Sequence, residues 1–312
     1  MYPVLLAFIY ILASPQYDPV ESLTIFNKDE VIEEINREQY TIPYFDENMV
    51  DSAKLELLAR RINTLILTKP QDAWINEQNE IVPAKTGKML DEKQFLKQLY
   101  QFYYEGTVSE IQVPLKHVYP KVDSELLEKI YSKRIGQYTT YFNSKNEERS
   151  NNIYISTEAI NNQVVFPNEV FSFNHVVGKR TKERGYLPAP VIVKGELAED
   201  VGGGICQVSS TLYNAIDRAG IKVVERYSHS RRVPYVPSGR DATVSWYGPD
   251  FTFMNNYNQP VFIKASAKHG QVMISIYSSE IIRTNKNDIP KATDQLPKEI
   301  HVNEYGEYKL SH

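Results

Sequence analysis

The stretch EDVGGGICQVSSTLYNAIDRAG, residues 199–220, holds the one cysteine of the chain, Cys206, directly after a glycine run and a single isoleucine. The thiolate is the nucleophilic form of cysteine. The first turn of a helix, with its unpaired N–H groups and the positive end of the macrodipole, lowers a thiol pKa and favours that form. Ile205, Val208, Leu212, Ala215, Ile216 and Ala219 recur at helical spacing, and Gly220 is a stop signal. Cys206 lies off that stripe and shares a face with Ser209, Ser210 and Tyr213, which are expected to meet a substrate. Gly202, Gly203 and Gly204 have no Cβ, so backbone can approach a ligand closely; Gly203 and Gly204 are the expected N–H donors to an oxyanion. The competing reading is a buried cysteine after a tight loop, since free cysteine is among the most buried residue types.

A nucleophile of this kind needs a base within hydrogen-bond reach. His229, in ERYSHSRRVPY, follows the strand after the cysteine helix, and a return strand can bring its loop back to the helix start. His175, in SFNHVVG, is the competitor. Asp241, in PSGRDATV, is the candidate for orienting the imidazole, with a plain turn aspartate as the alternative. Lys222, Arg226, Arg231, Arg232 and Arg240 bracket His229. They are either a solvated basic face or, at Arg231 and Arg232, a bidentate hold on substrate carboxylates. No metal-ligand cluster, phosphate loop or dinucleotide fingerprint occurs, so no metal or organic cofactor is expected. A net charge of −4 argues against nucleic acid as a partner.

The elements that must position these residues occupy a chain of 312 residues, 42% hydrophobic and 24% charged, enough for about two packed domains. Residues 1–21 carry an apolar run from Val4 to Ala13, shorter than the roughly 20 residues of a membrane-spanning helix, with no Lys or Arg before it. This reads as an export signal or membrane anchor, and the lone thiol agrees with an exported chain. Residues 22–135 read as a small α+β module. Its helices are expected at NKDEVIEEINREQ, at DSAKLELLARRINTLIL with Leu55, Leu58, Ile62 and Leu65 inward, and at DEKQFLKQLYQFYY and DSELLEKIYSKR. A hairpin is expected at DAWINEQNEIVPAKTGKML and a strand at SEIQVPLKHVYPKV. Residues 136–282 read as a mostly antiparallel sheet with a few helices, and 283–312 as a flexible tail. The fold class expected is therefore α+β.

The segments FPNEVFSFNHVVGKRTKERGYLPAPVIVKGE, GGGICQVSSTLYNA, ERYSHSRRVPYVPSGRDATV and NNYNQPVFIKA resemble the VanW-domain family over roughly residues 134–280. The first half of the chain resembles, more weakly, the peptidoglycan-binding modules that precede transpeptidase domains in exported wall enzymes. The resemblance implies an extracytoplasmic, envelope-associated protein whose partners are peptidoglycan stem peptides. Some members are regarded as cysteine-dependent L,D-transpeptidases, and the family cysteine and histidine fall on Cys206 and His229. That activity is acyl transfer forming 3→3 cross-links. A non-catalytic wall-binding protein and a thiol peptidase or amidase are the alternatives.

Overall fold

The structure is a computed structural model that describes residues 20–42, 49–193, 196–294, 296, 300–302 and 308–310. The expected export segment lies outside the described residues, apart from its last two positions. The chain forms two compact units, Met1–Asp72 with Ala84–Lys121, and Ala73–Pro83 with Val122–His312.

In chain order the first half comprises β1 (Ser22–Asn27), β2 (Glu30–Asn36), α1 (Ser52–Ile66), β3 (Trp74–Ile75), β4 (Ile81–Val82), β5 (Gly87–Leu90), α2 (Glu92–Glu105), β6 (Glu110–Gln112) and β7 (Leu115–Val118). The β3–β4 hairpin belongs to the second unit. In the first unit β1 pairs antiparallel with β2 and parallel with β6, while β5 pairs with β7. Asp51 and Asp91 cap α1 and α2 by accepting from Lys54 and Gln94 N–H groups. Leu23, Ile25, Leu55, Ile62, Phe95 and Leu99 fill the core between them.

Three sequence expectations need correction here. NKDEVIEEINREQ is not a helix: Lys28 turns the chain with φ 58°, and Glu30–Asn36 pairs with β1. Its apolar positions fit either period, and cross-strand pairing that buries Ile35 decides between them. In α1, Ile66 faces the core and Leu65 is exposed. The SEIQVPLKHVYPKV strand breaks at Pro114, which has no N–H to give a ladder, so its halves β6 and β7 join different sheets.

The second unit continues with α3 (Ser124–Ile130), β8 (Lys133–Tyr141), α4 (Glu147–Ile160), β9 (Gln163–Val165), β10 (Val170–Ser172), α5 (Phe173–Val177), β11 (Pro188–Val193), β12 (Glu196–Val201), α6 (Ile205–Arg218), β13 (Lys222–Glu225), β14 (Thr252–Met254), β15 (Val261–Lys268) and β16 (Gln271–Ser278). A further antiparallel pair, β17 (Ile300–Val302) and β18 (Tyr308–Leu310), follows. The main sheet runs β8-β16-β15-β9, antiparallel throughout, beside a smaller sheet β10-β14-β13 and the β11–β12 ribbon. This is an α+β fold built on mostly antiparallel sheets. Helix α6 lies across β8 so closely that a Cβ on Gly136 would sit 2.4 Å from the Ala215 carbonyl oxygen. Its apolar stripe packs with Phe251, Phe253, Ile263 and Ile274 in one core.

Residues 285–290, expected in the flexible tail, are instead fastened to this unit. Ile289 is buried, Arg218 donates to its carbonyl, and Tyr138 Oη donates to the Pro290 carbonyl at 2.9 Å. The segment is extended coil, and isolated apolar anchors in coil have no period for a sequence to display.

A candidate thiol–imidazole–carboxylate site

Helix α6 begins at Ile205, so Cys206 sits on its first turn and is half-buried. Gly204 occupies the N-cap with φ 106°, a left-handed conformation that costs any residue with a Cβ about 1–2 kcal/mol. The N–H groups of Gly203, Gly204 and Cys206 have no hydrogen-bonded acceptor among the described residues. The glycines are also required by packing. A Cβ on Gly203 would meet the Ala189 carbonyl oxygen at 2.5 Å, and one on Gly204 would meet Arg149 Cγ at 2.9 Å. Close approach of the chain's own backbone, as well as of a ligand, accounts for the glycine run.

The thiol faces the loop after β13. Cys206 Sγ lies 3.6 Å from the Val244 carbonyl oxygen, to which it donates when protonated, and 3.8 Å from Thr243 Oγ1. The His229 imidazole is near enough to act on the thiol and lower its pKa. On the other side of the ring, Asp241 Oδ2 accepts from His229 Nδ1 at 2.7 Å and from the His229 backbone N–H at 2.6 Å. The His229 and Asp241 side chains are only 6% and 9% exposed. With Nδ1–H committed to the carboxylate, Nε2 is left for sulfur.

The electrostatics follow from these contacts. Burial by itself raises the Cys206 pKa, but hydrogen bonding and charge from His229, with Val244 and Thr243, bring it below the usual thiol value. For His229 burial works downward, and the Cys206 and Asp241 partners outweigh it, so the imidazolium is favoured. Burial likewise opposes ionisation of Asp241; the two bonds from His229 lower its pKa regardless. These directions favour a thiolate and an imidazolium steadied by a carboxylate, an arrangement suited to covalent thiol catalysis. His175 is exposed and donates its backbone N–H to Ser172; it takes no part.

The remaining candidates separate by their contacts. Ser209 and Ser210 are fully buried, which corrects the expectation that they meet substrate. Ser209 Oγ donates to the Ala242 carbonyl at 2.6 Å, and Ser210 Oγ accepts from the Ala242 N–H at 2.9 Å while donating to the Cys206 carbonyl at 2.7 Å. They bolt the Asp241-bearing loop to α6. Tyr213 is also buried, with the Arg226 and Arg240 guanidiniums over its ring at 4.9 and 4.6 Å. Arg226 donates to the Asp241 carbonyl and Arg240 to Asn214 and Asp217, so Tyr213 is a support of the same loop. Arg231 and Arg232 are exposed and have no partner among the described residues. They remain open to an anionic ligand.

Four neighbours escaped the sequence reading. Thr243 and Val244 contact sulfur. Tyr235 is buried beside Cys206, Arg149 and Ser210; burial above all, with the cysteine charge, holds its phenol protonated. Arg180 gives Nη2 to Asn174 at 2.7 Å, while its Nη1 and the Tyr186 hydroxyl are buried without partners among the described residues. Only Thr243 and Val244, two and three residues past Asp241, carried any signal: nearness in sequence to a candidate. Among the described residues no group of three or more His, Cys, Asp or Glu side chains is placed to hold a metal.

The family described as VanW like protein matches residues 148–277, which contain Cys206, His229 and Asp241. An uncharacterized protein of Bacillus subtilis, YoaR, is 50% identical over 302 residues, covering 97% of this chain and 99% of its own. The vancomycin B-type resistance protein VanW of Enterococcus faecalis is 27% identical over 104 residues, 32% of this chain and 38% of that protein. No solved structure matches the chain.

Proposed function

The chain belongs to the VanW family, and we propose that it is a cysteine-dependent acyl transferase of peptidoglycan, acting outside the cytoplasm as an L,D-transpeptidase. The observation that carries the reading is Cys206 on the first turn of α6, with its pKa lowered by a nearby His229 whose ring N–H and backbone N–H both donate to Asp241.

The Cys206 thiolate attacks the carbonyl of the third residue, a diamino acid, in a tetrapeptide stem. Charge on the tetrahedral oxygen is met by N–H groups at the start of α6, among Gly203, Gly204 and Cys206. Collapse breaks the amide to the terminal D-alanine, whose nitrogen takes a proton from the His229 imidazolium. This leaves a thioester on sulfur and a neutral imidazole. A side-chain amine of a neighbouring stem then attacks the thioester, gives a proton to His229 and expels the thiolate, forming a 3→3 cross-link. Arg231 and Arg232 hold stem carboxylates. Cofactor-free acyl transfer of this kind uses only groups of the chain.

Incubation of the purified chain with disaccharide-tetrapeptide muropeptides tests the reading. Mass spectrometry is expected to find an acyl adduct on Cys206 and 3→3 dimers, both absent with Cys206→Ala. Release of D-alanine without dimers would make the protein a thiol peptidase. A folded protein that forms no adduct and no product would leave a non-catalytic wall-binding protein.

A further inference from the structure

The loop that touches the thiol ends in an exposed aromatic display. Ser245–Gly248 is a tight turn closed by Gly248 N–H to the Ser245 carbonyl and Ser245 N–H to the Pro249 carbonyl. Asn174 Nδ2 donates to both of those carbonyls, at 2.9 and 3.1 Å, and Asp250 anchors the Asn174 N–H and the Ser172 hydroxyl. The turn is therefore held at its base. At its tip Trp246 is 40% exposed and Tyr247 84% exposed, with the Lys179 ammonium 5.3 Å from the Tyr247 ring centroid.

Tyr227, 50% exposed, lies on the neighbouring segment, its backbone bridged antiparallel to Thr243. Thr243 and Val244 contact sulfur. Two residues of chain span at most about 7 Å, so the Trp246 backbone lies within that reach of the Val244 carbonyl. In the segments 226–232 and 241–250, every exposed apolar side chain is aromatic; no exposed aliphatic accompanies them. An apolar peptide pocket would mix aliphatic and aromatic walls. Flat faces rimmed by polar groups suit a ligand with an apolar C–H face and a hydroxyl edge, which is a pyranose ring. The backbone of the turn is held at its base, and exposed aromatic rings near a reactive group mark a contact surface.

We propose that Trp246, Tyr247 and Tyr227 form a sugar-stacking subsite beside Cys206, which takes the glycan portion of the substrate. The subsite rests on the peptidoglycan reading above for its ligand and extends it from the stem peptide to the sugar.

Two measurements on the full chain test it. With Trp74→Phe, Trp246 is the sole tryptophan, and titration with a β-1,4-linked N-acetylglucosamine tetramer is expected to change its emission saturably. Tyr247→Ala is expected to weaken that binding about tenfold. Separately, half-saturation for Cys206 acylation is expected to be about tenfold lower with disaccharide-tetrapeptide than with the free tetrapeptide. Trp246→Ala should erase that difference. No emission change and equal half-saturation would overturn the subsite and leave the catalytic reading standing. Saturable sugar binding without any Cys206 acylation would do the reverse. Emission that responds to free stem peptide as strongly as to the sugar would assign the rings to peptide and overturn the proposal.

Discussion

One carboxylate oxygen of Asp241 receives two hydrogen bonds from the same residue, the His229 backbone N–H at 2.6 Å and ring Nδ1 at 2.7 Å. The backbone bond fixes where His229 stands and the ring bond fixes how it is turned. Asp241→Asn keeps an acceptor but offers a donor to Nδ1 as well, favouring the wrong tautomer. We expect acylation to slow by on the order of 10³- to 10⁴-fold with the fold intact. Rapid-quench mass spectrometry of the Cys206 adduct, with circular dichroism as the folding control, measures this. Unchanged acylation would remove Asp241 from the machinery.

The shifted groups give a signed pH dependence. Cys206 is lowered and His229 raised, so a window opens in which thiolate and imidazolium coexist. Iodoacetamide alkylation should begin at a pH well under the ordinary thiol range of about 8.5. Acyl transfer should rise as the thiol ionises and fall as the imidazolium is lost. In His229→Asn the largest lowering influence on the thiol is gone, only Val244 and Thr243 are left to oppose burial, and the alkylation curve should move upward in pH. Superimposable curves for the two proteins would contradict the pairing.

Ser209 and Ser210 separate structural from substrate roles. Ser210→Ala leaves the buried Ala242 N–H without its acceptor and should cost about 1–3 kcal/mol in denaturant unfolding, whereas Ser209→Ala removes the shorter of two hydroxyl bonds to the Ala242 carbonyl and should cost about 0.5–1.5 kcal/mol. At sub-denaturing conditions half-saturation by substrate should move little. A KM change with stability unaffected would return both serines to the binding surface.

At Gly204, alanine must adopt φ near 106° and place its Cβ against Arg149. Strain of this kind is worth on the order of 1–3 kcal/mol, and the start of α6 should loosen with it. Thermal unfolding and the Cys206 alkylation rate should change together, because the N-cap carries the reactive turn.

Arg231→Glu and Arg232→Glu test the exposed basic pair. With no internal partner to lose, neither should alter stability beyond about 0.5 kcal/mol. If the pair holds stem carboxylates, half-saturation for anionic stems should rise about tenfold or more. Unchanged turnover at low substrate would leave the two arginines as a solvated face.

Much of this site was legible because its chemistry is local or typed. Cys206 stood out by its place after the glycine run, and His229 and Asp241 by residue type and by the strand that returns them. Ser209, Ser210 and Tyr213 were misread for a physical reason: a helical wheel separates polar from apolar but cannot say that a polar face meets solvent. Here another loop covers that face, and its carbonyls and N–H groups satisfy the hydroxyls. Arg180 and Tyr235 reach the site through contacts distant in sequence, which leave no periodic trace. In the first unit, a short apolar pattern compatible with either period became a strand because β1 stood ready to pair with it.

The β3–β4 hairpin carries a practical consequence for dissecting the molecule. Ile75 exchanges hydrogen bonds with the Asn162 side chain through both its N–H and its carbonyl, and the Lys264 ammonium donates to that same carbonyl. A fragment begun at residue 122 would carry Asn162 and Lys264 without the ten or so upstream residues that complete them. Truncation at the obvious junction would thus yield a weakened second unit, whereas supplying the hairpin as a separate peptide, or splicing it ahead of residue 122, should restore its melting temperature.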